Sequence, residues 1–261
     1  MNWSLPENIA TYGGKIDAIF WVITVVTGIA FVLVEVGIIW FCIKYRRREG
    51  QRAFYTHGSK SLEVLWTAVP ALAMVALGLY SANVWAQIKG RSSAPSESLH
   101  IAVSAKQFEW NVTYAGADEV LGTSDDFSTR NQLHFPANRP ILIWLESEDV
   151  LHSFFIPQLR VKQDAVPGMT IPVWFEATKA GDYQIGCAEL CGLGHYRMRA
   201  RVTIHEPAAY EMWVGEQIAA RTDAGQPTAV AAAGGFGVEV GAETGGDPED
   251  EAGHEHSAGG M

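Results

Sequence analysis

The sequence predicts a two-helix membrane hairpin carrying an all-β domain, followed by an acidic tail without a core of its own. Three observations predict it. Two long apolar runs lie within residues 1–92, short β-type segments fill residues 93–220, and residues 221–261 are rich in Gly, Ala and acids. Those three stretches are the expected domains.

Residues 18–43 contain one charge, Glu35, and residues 64–87 contain none. Each run exceeds the roughly 20 residues that cross the hydrocarbon of a bilayer. Spans are therefore expected at about 18–43 and 63–87. Two buried helices of a soluble core would rarely be so long and so free of charge. Between the runs lies KYRRREGQRAFYTHGSK, where Lys44, Arg46, Arg47, Arg48, Arg52 and Lys60 face the single acid Glu49. Basic loops stay on the cytoplasmic side. Both termini and everything after residue 88 are thus expected outside, in a bacterial periplasm, a mitochondrial intermembrane space or an equivalent compartment. The opening MNWSLPENIATYGGKID has no basic stretch before a short apolar run, so the first span is expected to be an uncleaved anchor.

After the polar linker GRSSAPSES the pattern changes. LHIAVSAKQFEWNVTY alternates apolar and polar positions, and RPILIWLES and TIPVWFEA are rich in branched and aromatic residues. GDYQIGC and MRARVTIH complete the set, and turn-prone AGADE, TSDD, FPANRP and VPGM divide it. Short strands so divided predict an antiparallel sandwich or barrel. By alternation Phe108, Trp110 and Tyr114 are expected on one face. EPAAYEMWVGEQIAAR reads as a closing amphipathic helix. The tail has too few large apolar residues for a core and is expected to be disordered, with His254 and His256 inert.

Charge is unevenly shared. Residues 1–92 hold nine bases and five acids, residues 93–220 nine and sixteen, and residues 221–261 one and eight. An acidic outer domain argues against nucleic acid and for a cationic partner. Neither a Gly-rich phosphate loop nor a nucleophilic triad is present, and the absence of C-x-x-C-H excludes a fused c-type haem domain.

The chemistry concentrates in CAELCGLGHYRM, which sets Cys187, Cys191, His195 and Met198 in one short segment, while DVLHSFFIP supplies His152 upstream. Thiolate, imidazole and thioether together favour copper over magnesium, calcium or manganese. A disulfide between the two cysteines would leave His195 and Met198 without a purpose. A mononuclear blue-copper centre needs one cysteine, and here there are two. Two thiolates can each bridge two copper ions, and His152, His195, Met198 and one backbone carbonyl then suffice for a dinuclear centre. Sharing one electron between two metals suits electron transfer rather than substrate binding.

CAELCGLGHYRM, DVLHSFFIP and DAVPGM, with LEVLWTAVPA in the second span, resemble subunit II of cytochrome c oxidase from the first helix to about Arg221. The resemblance implies a cupredoxin-like Greek-key barrel on the hairpin and a dinuclear copper (CuA) centre. Cys187 and Cys191 would bridge, His152 and His195 would be terminal imidazoles, Met198 the thioether, and Glu189 a ligand through its carbonyl. It also implies that the Glu189 carboxylate holds a magnesium ion shared with subunit I, and that Glu63 marks the entrance of a proton pathway. Phe108 stands where the family places an electron-accepting tryptophan, and Trp110 is the other candidate.

The resemblance implies an integral, multi-pass protein of a bacterial inner membrane, its copper domain and both termini periplasmic. Its partners would be the bilayer, subunit I and other oxidase subunits, and cytochrome c or a cytochrome c subunit as donor. No catalytic residue is expected in this chain: haem, oxygen reduction to water and proton pumping belong with subunit I. A CuA subunit of a haem-copper nitric oxide reductase is the alternative. A quinol oxidase subunit would lack the copper ligands, a tethered copper carrier would not need the second cysteine and Glu63, and nitrous oxide reductase would need a large catalytic domain.

Overall fold

The structure, a computed structural model, describes residues 5–52, 55–90 and 93–223. The acidic tail from residue 224 onward, with His254 and His256, lies outside the described residues.

Two helices come first, α1 (Gly13–Lys44) and α2 (Lys60–Lys89). Both are long and apolar enough to cross a membrane, and side chains such as Leu33 and Leu72 project outward, unburied. Ser59 caps α2, its hydroxyl accepting from Leu62 N at 3.4 Å. At the other end α2 is tied to the β domain, because the Trp174 indole donates to the Ile88 carbonyl at 2.7 Å and so satisfies one of the helix's last acceptors. A second tie comes from the N-terminal segment. Ile9 N donates to Gln158 O at 3.0 Å, Thr178 N to Ile9 O at 2.8 Å, and Asp17 pairs with Arg160 at 2.7 Å. These ties set the β domain directly on the ends of the helices.

Ten strands follow: β1 (Leu99–Lys106), β2 (Glu109–Tyr114), β3 (Phe127–Arg130), β4 (Gln132–Pro136), β5 (Pro140–Ser147), β6 (His152–Ile156), β7 (Val161–Ala165), β8 (Ile171–Glu176), β9 (Gly181–Cys187) and β10 (Arg199–His205). They form two five-stranded sheets, ordered β3-β2-β1-β5-β8 and β4-β10-β9-β6-β7. Alternation works as the pleat requires: in β2 Trp110, Val112 and Tyr114 are buried, and in β5 Ile141, Ile143 and Leu145 are. The core lies between the sheets.

Two expectations are corrected. The sheets are mixed rather than antiparallel throughout, since β1 pairs parallel with β5 and β4 with β10. The chain changes sheets twice, at Asn138 (φ 57°) between β4 and β5 and, before that, at Asn131, in the left-handed region at φ 55°, which separates β3 in one sheet from β4 in the other. The Asn131 Oδ1 accepts from Trp110 N at 2.9 Å and its carbonyl from Arg201 N at 2.9 Å, so it bonds to both sheets. The second correction concerns Phe108, which lies in the turn between β1 and β2 and so does not continue the face of Trp110 and Tyr114.

The closing helix, α3 (Pro207–Asp223), lays Trp213 flat on His134, with ring centroids 4.3 Å apart. His134 Nδ1 and His205 Nε2 are 2.9 Å apart, which requires at least one ring to be neutral. Burial, then the neighbouring His205 and Arg201, push His134 down to about 4, with Asp182 opposing. The unfolded chain takes up this proton near the ordinary 6.5. Stability is therefore complete above about pH 6.5 and falls as pH drops toward 4, because the native state resists a proton that the unfolded state binds. Urea unfolding of the full chain in micelles should show this decline, and His134→Gln should flatten it across the same window.

Candidate metal centre

The loop that carries most of the candidate ligands is an excursion between β9 and β10. Its neck is closed by Cys187 N donating to Met198 O at 3.2 Å, one step beyond the pair Gly186↔Arg199. Within it, a 3-10 turn (His195–Arg197) follows Gly192, whose φ of 131° favours glycine. Gly194 is required for a different reason: a Cβ there would run into the Phe108 ring. His152 comes from the neighbouring strand, where β6 pairs with β9 through Phe154↔Cys187.

The geometry brings all six predicted donor groups together. The Sγ atoms of Cys187 and Cys191 are 3.8 Å apart. His152 Nδ1 is 3.9 Å from Cys187 Sγ, and His195 Nδ1 is 3.7 Å from Cys191 Sγ. Met198 Sδ lies 3.7 Å from Cys191 Sγ, and the Glu189 carbonyl lies 3.2 Å from Cys187 Sγ. A tetrahedral ion with nitrogen and sulfur bonds of about 2.0–2.3 Å holds its donors about 3.3–3.8 Å apart. The donor atoms therefore stand close to ligand spacing, and their softness suits copper. The cysteines are free rather than bridged. Burial, reinforced by the Cys187 thiol, pushes the Cys191 thiol up to about 11, so a metal must displace its proton to bind.

The support around these donors is equally specific. His152 is fully buried, and its Nε2 is 2.8 Å from Asp149 Oδ1, which leaves Nδ1 facing the thiols. Burial raises the Asp149 carboxyl, but hydrogen bonds from Gln107 N, His152 and Val150 N outweigh it and hold the group below the usual carboxylate range. Gln107 joins both halves of the site: its backbone N–H donates to Asp149 Oδ2 at 2.7 Å and its side-chain amide to Cys191 O at 2.6 Å. Sequence reasoning missed Gln107, because KQFEWNVTY drew notice for its aromatic residues. Its only sequence signal is a polar residue in the turn before a core tryptophan. Asp164 supports the next strand by accepting from the buried Ser153 hydroxyl at 2.6 Å.

The remaining candidates fall elsewhere. Trp110 is fully buried, edge-on to His152 with centroids 6.2 Å apart, so it walls the site without reaching the surface. Phe108 is partly buried, in the β1–β2 turn against the metal loop. The Glu189 side chain is half-buried and makes no ion pair among the described residues. Glu63 is exposed in the first turn of α2, about 40 Å of helix axis from its other end. Glu35 is exposed on α1, nearer its Lys44 end. Around the loop, Leu190, Leu193 and Tyr196 stand out from the surface, Leu193 being 94% exposed.

A β sandwich with a loop of soft ligands at one end, set on two apolar helices, defines a membrane-anchored, cupredoxin-like metal domain. The family model for the periplasmic domain of cytochrome c oxidase subunit II matches residues 103–204, and that for its transmembrane domain matches residues 13–84. The alternative cytochrome c oxidase subunit 2 of Bradyrhizobium diazoefficiens is 32% identical over 240 residues, covering 82% of this chain and 84% of that protein. Cytochrome c oxidase subunit 2 of Thermostichus vulcanus is 30% identical over 261 residues, covering 80% and 77%. The crystal structure of the periplasmic domain of subunit II of cytochrome oxidase of Bradyrhizobium japonicum is 29% identical, with a TM-score of 0.42, covering 47% of this chain and 95% of that one. The chain belongs to the cytochrome c oxidase subunit II family. It is a membrane protein with two spanning helices, and family and His/Cys/Cys cluster together point to copper.

Asp149→Ala should lower copper affinity about 10- to 100-fold, the usual cost of removing a group that orients a ligating histidine. Chelator competition would measure it, with unchanged circular dichroism. Asp149→Asn, which keeps an acceptor oxygen, should lose less.

Proposed function

We propose that this chain is the electron-accepting subunit of a cytochrome c oxidase. The observation that carries this reading is the convergence of two thiols, two imidazoles, a thioether and a carbonyl in contact with one another. Six donors exceed the four of one tetrahedral ion but suit two ions sharing both thiolates. Cys187 and Cys191 would bridge, His152 and His195 would each hold one copper, and Met198 and the Glu189 carbonyl would complete the pair. Bound there, the dinuclear copper supplies a one-electron relay whose charge is spread over two metals.

The protein's own residues supply position, dryness and field. Asp149 and Gln107 hold His152 and the cysteine loop in place. Trp110 and Phe154, both fully buried, keep water from the inner side of the site. The acidic surface attracts a cationic donor, cytochrome c or a cytochrome c subunit. The apolar rim of Leu190, Leu193 and Tyr196 offers contact area, and Phe108, against the metal loop, offers the inlet for the electron. The half-buried Glu189 carboxylate is proposed to hold magnesium at the contact with subunit I, a hard ion suited to oxygen. Haem and oxygen chemistry would lie in subunit I. Glu63, in the first turn of α2 at the end away from the β domain, is proposed as a cytoplasmic proton entrance, with the β domain in the periplasm of a bacterial inner membrane.

In the purified complex, copper reduction by ferrocytochrome c should slow steeply as salt rises, because screening removes the attraction. Glu63→Gln should slow steady-state oxygen consumption while leaving that reduction rate unchanged. Stopped-flow absorbance and an oxygen electrode separate the two. Nitric oxide turnover without oxygen turnover would overturn the proposal.

A further inference from the structure

A cleft of about 380 Å³ opens where the helices meet the β domain, remote from the metal loop. Its apolar wall comes from the ends of both spans, with Ile16 and Ile19 on α1 and Val84, Trp85 and Ile88 on α2. Trp85 is 65% exposed, so the wall continues onto the outer surface of the span. Tyr12 and Trp174, edge-to-face with centroids 5.2 Å apart, close the end nearest the domain. Aromatic residues at this level mark the boundary between hydrocarbon and water.

The polar end of the cleft is basic, although the domain above it is acidic. Arg160, Lys162 and Lys89 converge there. Arg160 is saturated by Asp17 and by the carbonyls of Pro157 and Pro6. Lys162 is paired with Asp164 at 2.9 Å. Lys89 donates to the neutral Gln163 at 2.9 Å and has no carboxylate within ion-pair distance among the described residues. Three cations against two carboxylates leave one positive charge, beside an apolar trough and at the end of a membrane span.

We propose that this cleft binds an acidic glycerophospholipid of the adjoining leaflet. Its phosphodiester sits at Lys89, and the upper part of one acyl chain lies along Ile16, Ile19 and Val84. A phosphodiester carries the single negative charge that the three cations and two carboxylates leave unmatched. The long lysine side chain spans from the apolar wall to the headgroup level. The bound lipid fills the angle between hairpin and domain, and reinforces the ties made by Trp174 and Asp17.

The test uses the full chain in nanodiscs with two photoreactive probes of identical acyl chains, phosphatidylglycerol and uncharged diacylglycerol, and maps adducts by peptide mass spectrometry. Phosphatidylglycerol should label the peptides holding Ile16–Ile19 and Val84–Ile88 about tenfold more than diacylglycerol does, the size of one charge-assisted contact. Lys89→Gln should remove that preference and Lys89→Arg restore it. Ile19→Trp, which fills the trough, should abolish labelling while circular dichroism stays unchanged. Equal labelling by both probes would mean ordinary annular lipid and overturn the proposal. Unlabelled cleft peptides would assign the space to another occupant, such as a neighbouring subunit, and displacement by millimolar inorganic phosphate would assign it to a soluble anion. Either result overturns the lipid assignment.

Discussion

The register of β6 against β9 is the constraint on which the metal end of the molecule depends. Phe154 opposite Cys187 sets His152 beside the thiols from 35 residues earlier in the chain, and a slip of one residue would turn its ring to the other face. The register is held from both sides. Phe154 is fully buried under Trp110, and β7 pairs along the whole of β6, from His152↔Ala165 to Ile156↔Val161. The neck of the metal loop is closed by β9 and β10 in the same sheet, so one end of that sheet places five side chains, four from a single loop and His152 from the neighbouring strand. Rigid strands carry the ends of the loop, which is how a site of this kind is kept within the tolerance that its chemistry requires.

Much of this was legible in the residues. Spacing alone singled out Cys187, Cys191, His195 and Met198, because soft ligands in one short run have few other uses, and DVLHSFFIP supplied His152. The spans were legible because a run with no charge over residues 64–87 has no place in a small soluble core. The parallel pairs were not legible. They depend on the chain changing sheets at Asn131 and again at Asn138, and nothing short of the tertiary bonds to Trp110 and Arg201 distinguishes Asn131 from an asparagine in an ordinary hairpin turn. Phe108 was misplaced for a related reason: alternation was extended through the turn between β1 and β2. Gln107 escaped notice because its role exists only once the turn lies against the metal loop, an encounter between segments 84 residues apart.

Charge and polarity divide the work along the molecule. The basic loop between the spans and the acidic β domain lie at opposite ends of the helices, and Lys89, Arg160 and Lys162 gather where the hairpin meets the domain. Trp174 and the Asp17–Arg160 pair make that junction firm, so the loop of ligands is held at a fixed height above the helix ends. The proposed relay would need such firmness, because electron transfer to a neighbouring subunit depends on distance. Domain and hairpin are thus joined by specific bonds rather than by a linker alone.

On the proposed function the six donors would hold two copper ions sharing one electron. Copper loading of the full chain, followed by metal analysis and electron paramagnetic resonance, tests it most directly. Two coppers per chain with a single unpaired electron delocalised equally over both nuclei is the result expected, and Cys191→Ser should abolish that signal. One copper per chain with the hyperfine pattern of a single nucleus would contradict the claim.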